Sequence, residues 1–243
     1  MKRYTVAFAG NPNTGKSTLF NLLTGMRQHT GNWAGKTVAA AEGTFRFNGD
    51  EYIAVDLPGT YSLYSNSADE EAARDYIIFE QPDVTLVVLD ATSLERNLNL
   101  ALQVLEITGR AVVCINLIDE AERLGIAIDL KAISRHLGVP VLAVSARNKT
   151  GINELLEEIG RTAALPAGTE PLRIPYSAEI ERGIAELVPL VEQALGPDYP
   201  ARWIALRLLD GDESLLSSLH RALAGTRTSL AKEVSGHGAT VCH

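Results

Sequence analysis

The eight residues Gly10–Ser17, GNPNTGKS, constrain this chain more than any other stretch. They fit the pattern G-x-x-x-x-G-K-[ST]. They follow a β-rich run, YTVAFAG, and precede KSTLFNLLTG, whose apolar spacing is helical and which stops at Gly25. A strand, a glycine loop and a helix in that order bring a helix N-terminus over the end of a strand. Backbone N–H groups converge there, and glycine lets them come close to a polyanion. Gly10, Asn11, Pro12, Asn13, Thr14, Gly15, Lys16, Ser17 and Thr18 are therefore candidate phosphate-binding residues. Lys16 is expected to reach β- and γ-phosphates, and Ser17 to place its hydroxyl on Mg²⁺.

The rest of the first 164 residues repeats the strand–helix alternation. GTFRFNGDEYIAVD alternates around Asn48-Gly49, a hairpin signal. DVTLVVLDA, RAVVCINLID and VPVLAVSA are continuous apolar runs, which suit strands buried on both faces of a mainly parallel sheet. Helical patterns fall near 69–80, 95–108, 129–137 and 151–163, and residues 26–40, rich in Gly, Asn and Thr, read as a long loop. The fold class is α/β, a three-layer phosphate-loop fold. LPAGTEPLRIP then reads as a linker, and every apolar pattern after it is helical, with Pro189 expected to kink or divide the first helix. The expected organisation is a nucleotide-binding domain over 1–165, a linker over 166–176 and a small all-helical domain over 177–243.

Three further elements carry chemistry. Asp56 ends a strand and opens DLPGT. Its carboxylate suits Mg²⁺, and Gly59 can offer an unobstructed N–H to a γ-phosphate. Asn116-Leu-Ile-Asp119 ends another strand. An Asp carboxylate there can accept from N1–H and the 2-amino group of guanine, a pair adenine does not offer. Asn116 can tie the loop together. Ser145-Ala146-Arg147 follows a third strand, with the Ala146 N–H expected at guanine O6. Order and spacing together indicate GTP or GDP as the ligand.

With these motifs the chain resembles the translation-factor-like branch of small GTPases, whose guanine motif is Asn-Lys-x-Asp. Leu117 stands here where the lysine usually packs along the base, which is expected to weaken the grip without changing the base preference. GNPNTGKSTLFNLLTG, TGNWAGKTVAAAEG and DLPGTYSLYSNSADEEAARDYI narrow the resemblance to the cytosolic G domain of the prokaryotic ferrous iron transport protein B family. The resemblance implies a GTP-hydrolysing switch that regulates ferrous iron uptake at the cytoplasmic face of the bacterial inner membrane. It implies that Thr37 closes over Mg²⁺ and the γ-phosphate, and that a helical domain couples this change to a membrane-spanning portion absent from the sequence. Lys36 departs from the hydrophobic residue usual before that threonine.

Thr60 occupies the place where many GTPases carry a water-orienting glutamine. The resemblance supplies a substitute. Asn13, with backbone carbonyls of Gly31 and Trp33, would hold K⁺ as a built-in positive charge between the β- and γ-phosphates. Asn13, Lys16, Thr37 and Gly59 are then the catalytic set, with slow intrinsic, potassium-stimulated hydrolysis. The plainer alternative has Asn13 bracing its own loop.

Bulk properties narrow the partners. The net charge of −8 over 243 residues provides no basic excess for nucleic acid. That argues against the competing function, a ribosome- or tRNA-associated GTPase. A homo-oligomer is compatible with the sequence. Two cysteines, Cys114 within an apolar run and Cys242 in the tail, fit a reducing setting, and no apolar stretch approaches the ~20 residues of a membrane span. Trp33 reads either as a contact residue or as packed back on the domain. The acidic run 67–75 reads as an iron-attracting patch or, better, as a helix start. His237, Cys242 and His243 read as a metal site or, better, as an unstructured terminus.

Overall fold

The computed structural model describes residues 1–25, 28–32, 39–64, 67–166 and 169–223. The chain divides into two compact units, Met1–Pro175 and Tyr176–His243.

The first unit is built on a seven-stranded sheet. Its strands are β1 (Arg3–Gly10), β2 (Gln28–Asn32), β3 (Ala39–Phe47), β4 (Asp50–Asp56), β5 (Val84–Asp90), β6 (Ala111–Asn116) and β7 (Val141–Ala143). The spatial order is β2-β3-β4-β1-β5-β6-β7. From β4 to β7 every neighbour is parallel, whereas β2 and β3 add on antiparallel. β3 and β4 form a hairpin, with Phe47 opposite Asp50 and both loop residues, Asn48 (φ 48°) and Gly49 (φ 84°), left-handed.

Helices cover both faces. α1 (Lys16–Thr24) and α6 (Ile152–Ala163) share a core with Val6, Phe8, Leu86, Val88, Val112 and Cys114, to which they contribute Leu19, Phe20, Leu155 and Ile159. Side chains alternate along a strand, so Ala7, Val87 and Val113 turn to the other face. There α3 (Leu94–Ile107) lies against β1, β5 and β6 and buries Leu100, Val104 and Leu105. α2 (Ala68–Asp75) runs on into a π-helical turn, Tyr76–Glu80, and fully buried Arg74 donates from Nε and Nη2 to Asp75 at the junction. α4 (Ile118–Arg123) and α5 (Leu130–Leu137) complete the unit. Burial pushes the Cys114 thiol up from its ordinary pKa, so it stays a neutral core residue.

The second unit holds α7 (Ala178–Leu195), α8 (Ala201–Leu209) and a helical run over 213–223, labelled α9. Leu187, Leu190, Val191, Leu216, Leu219 and Leu223 are among the residues lining an apolar cavity of about 220 Å³ within it.

Four expectations need correction. The loop expected over 26–40 contains β2. QHTGN has no apolar alternation, and as an edge strand paired only with β3 it needs none. Pro189 does not divide α7. The ring removes one N–H bond, but Ile184 and Val191 are buried on either side of it and α7 packs along α8, which keeps one helix. α4 was not expected, because IDEAER buries only Ala121. The strand expected in VPVLAVSA shortens to Val141–Ala143 at the opposite sheet edge. Part of the expected linker over 166–176 is bonded to the first unit. Leu172 donates its N–H to Leu105 O at 2.8 Å, and a Cβ on Gly109 would run into the carbonyls of Thr169 and Glu170. The tail residues 237–243 lie outside the described residues.

Candidate nucleotide site

The parallel strands end together on one side of the sheet. The chain leaves central β1 towards β4 on one flank and β5 on the other, and ligands of open α/β sheets bind at such a switch point. The loop Gly10–Gly15 sits there. Gly10 is tight because a Cβ would lie 2.6 Å from Val88 O, and Gly15 (φ 77°) because a Cβ would collide with Asn116 Nδ2. Asn13 is also left-handed (φ 68°), and Thr14 Oγ1 donates to Asn11 O at 3.0 Å. Lys16 opens α1, with its Nζ bonded to Asp56 Oδ1 and, at 2.5 Å, to Leu57 O. Ser17 Oγ donates to Asp56 Oδ2 at 3.0 Å. Two hard oxygen donors this close suit Mg²⁺, so the residues present fit that ion.

The segment after β4 lies over the phosphate loop. Leu57 N–H donates to Phe8 O at 3.1 Å and Thr60 N–H to Gly10 O at 3.2 Å, while Gly59 abuts Pro12. Thr60 is buried, and Leu63 N–H is held by Gln103 Oε1 of α3 at 2.7 Å. The acidic run is a helix start. Ser67 caps α2 by accepting from Glu70 N–H at 3.2 Å, with Asp69, Glu70 and Glu71 in the first turn. Among the described residues no group of three or more His, Cys, Asp or Glu side chains could hold a metal ion.

The base end is assembled by side chains. Fully buried Asn116 donates from Nδ2 to Thr14 O at 2.9 Å and accepts the Ala146 N–H on Oδ1 at 3.0 Å. One side chain thus joins the phosphate loop, the end of β6 and the loop after β7. Leu117 is left-handed (φ 63°) and turns the chain into α4, which carries Asp119 in its first turn. Asp119 Oδ1 is buried without a partner, an orphan acceptor of the kind a base N–H would satisfy. Arg147 is exposed at the rim.

The structure therefore brings together Gly10–Thr18, Asp56 and Gly59 at one end, and Asn116, Asp119, Ser145 and Ala146 at the other. Thr37, Lys36 and Trp33 lie outside the described residues, and Gly31 is known only as backbone in β2, opposite Ala40. Asn11, expected in the loop, buries both side-chain amide atoms without a partner. Two participants escaped the sequence. Leu57 enters through its backbone carbonyl, which accepts from Lys16. Asn148 donates to Asp119 Oδ2 at 3.1 Å, although an asparagine in a polar turn signals nothing beyond the turn.

A parallel sheet with this loop at its switch point, an Asp closing on the loop's Lys and Ser, and an Asn–Asp pair beside a Ser-Ala loop define a guanine-nucleotide-binding G domain, the GTPase class. The family model described as ferrous iron transport protein B matches residues 4–159, and that of the FeoB cytosolic helical domain matches 176–237. The chain belongs to the ferrous iron transport protein B family. It is 39% identical over 236 residues to the Fe(2+) transporter FeoB of Salmonella choleraesuis, covering 96% of this chain and 30% of that protein. It thus spans about a third of the length of such relatives. The cytosolic domain of the T. maritima FeoB iron transporter is similar in its GDP form I (35% identity, TM-score 0.82, 91% of this chain and 86% of that one). It is similar also in its GMPPNP form (35% identity, TM-score 0.79, 90% and 86%). Among the described residues no helix is long and apolar enough to cross a membrane.

Proposed function

We propose that this chain is the GTP-binding and GTP-hydrolysing switch of a ferrous iron uptake protein, acting at the cytoplasmic face of the bacterial inner membrane. The reading rests on family membership and on one observation above others: the convergence of Lys16 and Ser17 on Asp56. Guanine nucleotide is the ligand, since the T. maritima relative is described in GDP and GMPPNP forms.

Lys16 moves its Nζ from Asp56 and Leu57 O onto the β- and γ-phosphates. Ser17 and Asp56, with Thr37, would hold Mg²⁺, and Asn13, with the carbonyls of Gly31 and Trp33, would hold K⁺. Bound there, these ions would supply positive charge where negative charge develops in the reaction. Gly59 presents its N–H to the γ-phosphate. Water is aimed by backbone groups, and Thr60, which is buried, supports the segment rather than reaching the water. Segments 26–40 and 57–75 order around the γ-phosphate and relax after hydrolysis. The domain over 1–165 does the chemistry, 166–176 links, and the helical domain over 177–243 passes the change to a membrane-spanning portion. Intrinsic turnover is slow, and nucleic acid is not a partner, consistent with the net charge of −8. The family match favours this reading over a ribosome- or tRNA-associated GTPase.

Asn13→Ala tests the potassium arm. GTP hydrolysis by the unaltered protein is faster in KCl than in matched NaCl, and in the variant that difference disappears while nucleotide still binds. A potassium effect retained by the variant removes Asn13 from the role.

A further inference from the structure

The loop that follows β7 is tightly built. Ser145 and Thr150 exchange both backbone hydrogen bonds at 3.1 Å, with Lys149 (φ 58°) and Gly151 (φ 74°) left-handed. A Cβ on Gly151 would run into Ala143 O, so the loop is pressed onto the end of β7. Within this frame Asn148 is fixed at two points. Its backbone N–H donates to Ser145 Oγ at 3.2 Å, and its side-chain Nδ2 donates to Asp119 Oδ2 at 3.1 Å. Among the described residues the Asp119 carboxylate has no other hydrogen-bond or ion-pair partner. The torsion that spins a carboxylate is broad and roughly two-fold, so an unsupported Asp samples many planes. The Asn148 bond selects one of them, and the oxygen it leaves over, Oδ1, is the buried and unpartnered one.

We propose that Asn148 is a specificity-positioning residue. It holds Asp119 in the plane that presents Oδ1 to the N1–H and 2-amino edge of guanine. This rests on the guanine reading of the site. Asn148 touches Asp119 and has no assigned contact with the nucleotide, so it acts through the carboxylate. A residue that only shaped the turn would leave the ranking of bases alone.

The test is competition binding on the whole chain with GDP, IDP (which lacks the 2-amino group) and ADP, for the unaltered protein, Asn148→Ala and Asn148→Asp. The unaltered protein prefers GDP to IDP and IDP to ADP. In Asn148→Ala the GDP affinity falls by about two- to tenfold, the range of one net hydrogen bond, IDP falls less, and the GDP:IDP ratio contracts. Asn148→Asp keeps the side-chain size but sets carboxylate against carboxylate, and contracts the ratio further. Unchanged ratios in both variants, with affinities either intact or uniformly reduced, overturn the proposal and leave Asn148 a turn residue. An unaltered protein that does not distinguish GDP from ADP overturns the guanine reading itself, and the proposal with it.

Discussion

The two ends of the nucleotide site are built by different means. At the phosphate end, the loop's backbone groups, Lys16 and Ser17 converge because local chain geometry puts them there, and the pairing of β4 with β1 adds Asp56. A strand stops, glycine turns, and a helix begins with Lys16 and Ser17, both hydrogen-bonded to Asp56 at the end of β4. At the base end no local rule does the work. Asn116 and Asp119 lie on one segment and Ala146 and Asn148 on another, and the two are held together through side-chain bonds. The phosphate end therefore tolerates change outside its fixed positions, whereas the base end depends on a connected network in which each loss leaves another group exposed.

Breaking each end separately sharpens the contrast. The largest effect is expected from Lys16→Ala. It removes a charged donor and leaves Asp56 with Ser17 alone, so GTP affinity falls on the order of 100-fold, as charge-assisted bonds imply. Thermal unfolding of the nucleotide-free chain should change much less. Asn116→Ala does the reverse. It strands the Thr14 carbonyl and the Ala146 N–H in a dry interior, which costs on the order of 2–4 kcal/mol. Calorimetry should find the first unit melting on the order of 10 °C lower even without nucleotide. If Asn116→Ala lowered affinity alone, the network account of the base end would fail.

The smallest effect belongs to Arg147→Ala. The side chain is exposed at the rim, so stability should move by less than about 0.5 kcal/mol. Isothermal titration with GDP should register at most about a twofold change. A larger loss would mean that Arg147 covers the base, and the base end would then include a member that the protein chain alone does not reveal.

The same contrast explains what could be read from the sequence. The phosphate loop, the Asn48-Gly49 hairpin and the buried strands β5 and β6 follow local pattern, so their places were legible. Gly10, Gly15, Lys16, Ser17 and Asp56 followed with them. Strand β2 was not legible, since QHTGN carries no apolar alternation, nor was α4, a short polar helix set by the left-handed turn at Leu117. Pro189 misled because the price of a helical proline is local while its compensation, burial of Ile184 and Val191 along α8, is tertiary. Asn148 had no signal for a related reason. Its proposed role exists only once the loop after β7 meets the first turn of α4, and alone it is an asparagine in a turn.

The central claim is that this site selects and hydrolyses guanine nucleotide. The most direct measurement is steady-state phosphate release from GTP and from ATP, with Mg²⁺, in matched KCl and NaCl buffers. The account predicts slow turnover of GTP well above the buffer rate, faster in KCl, and none of ATP. Equal turnover of both nucleotides, or release from neither, would contradict it.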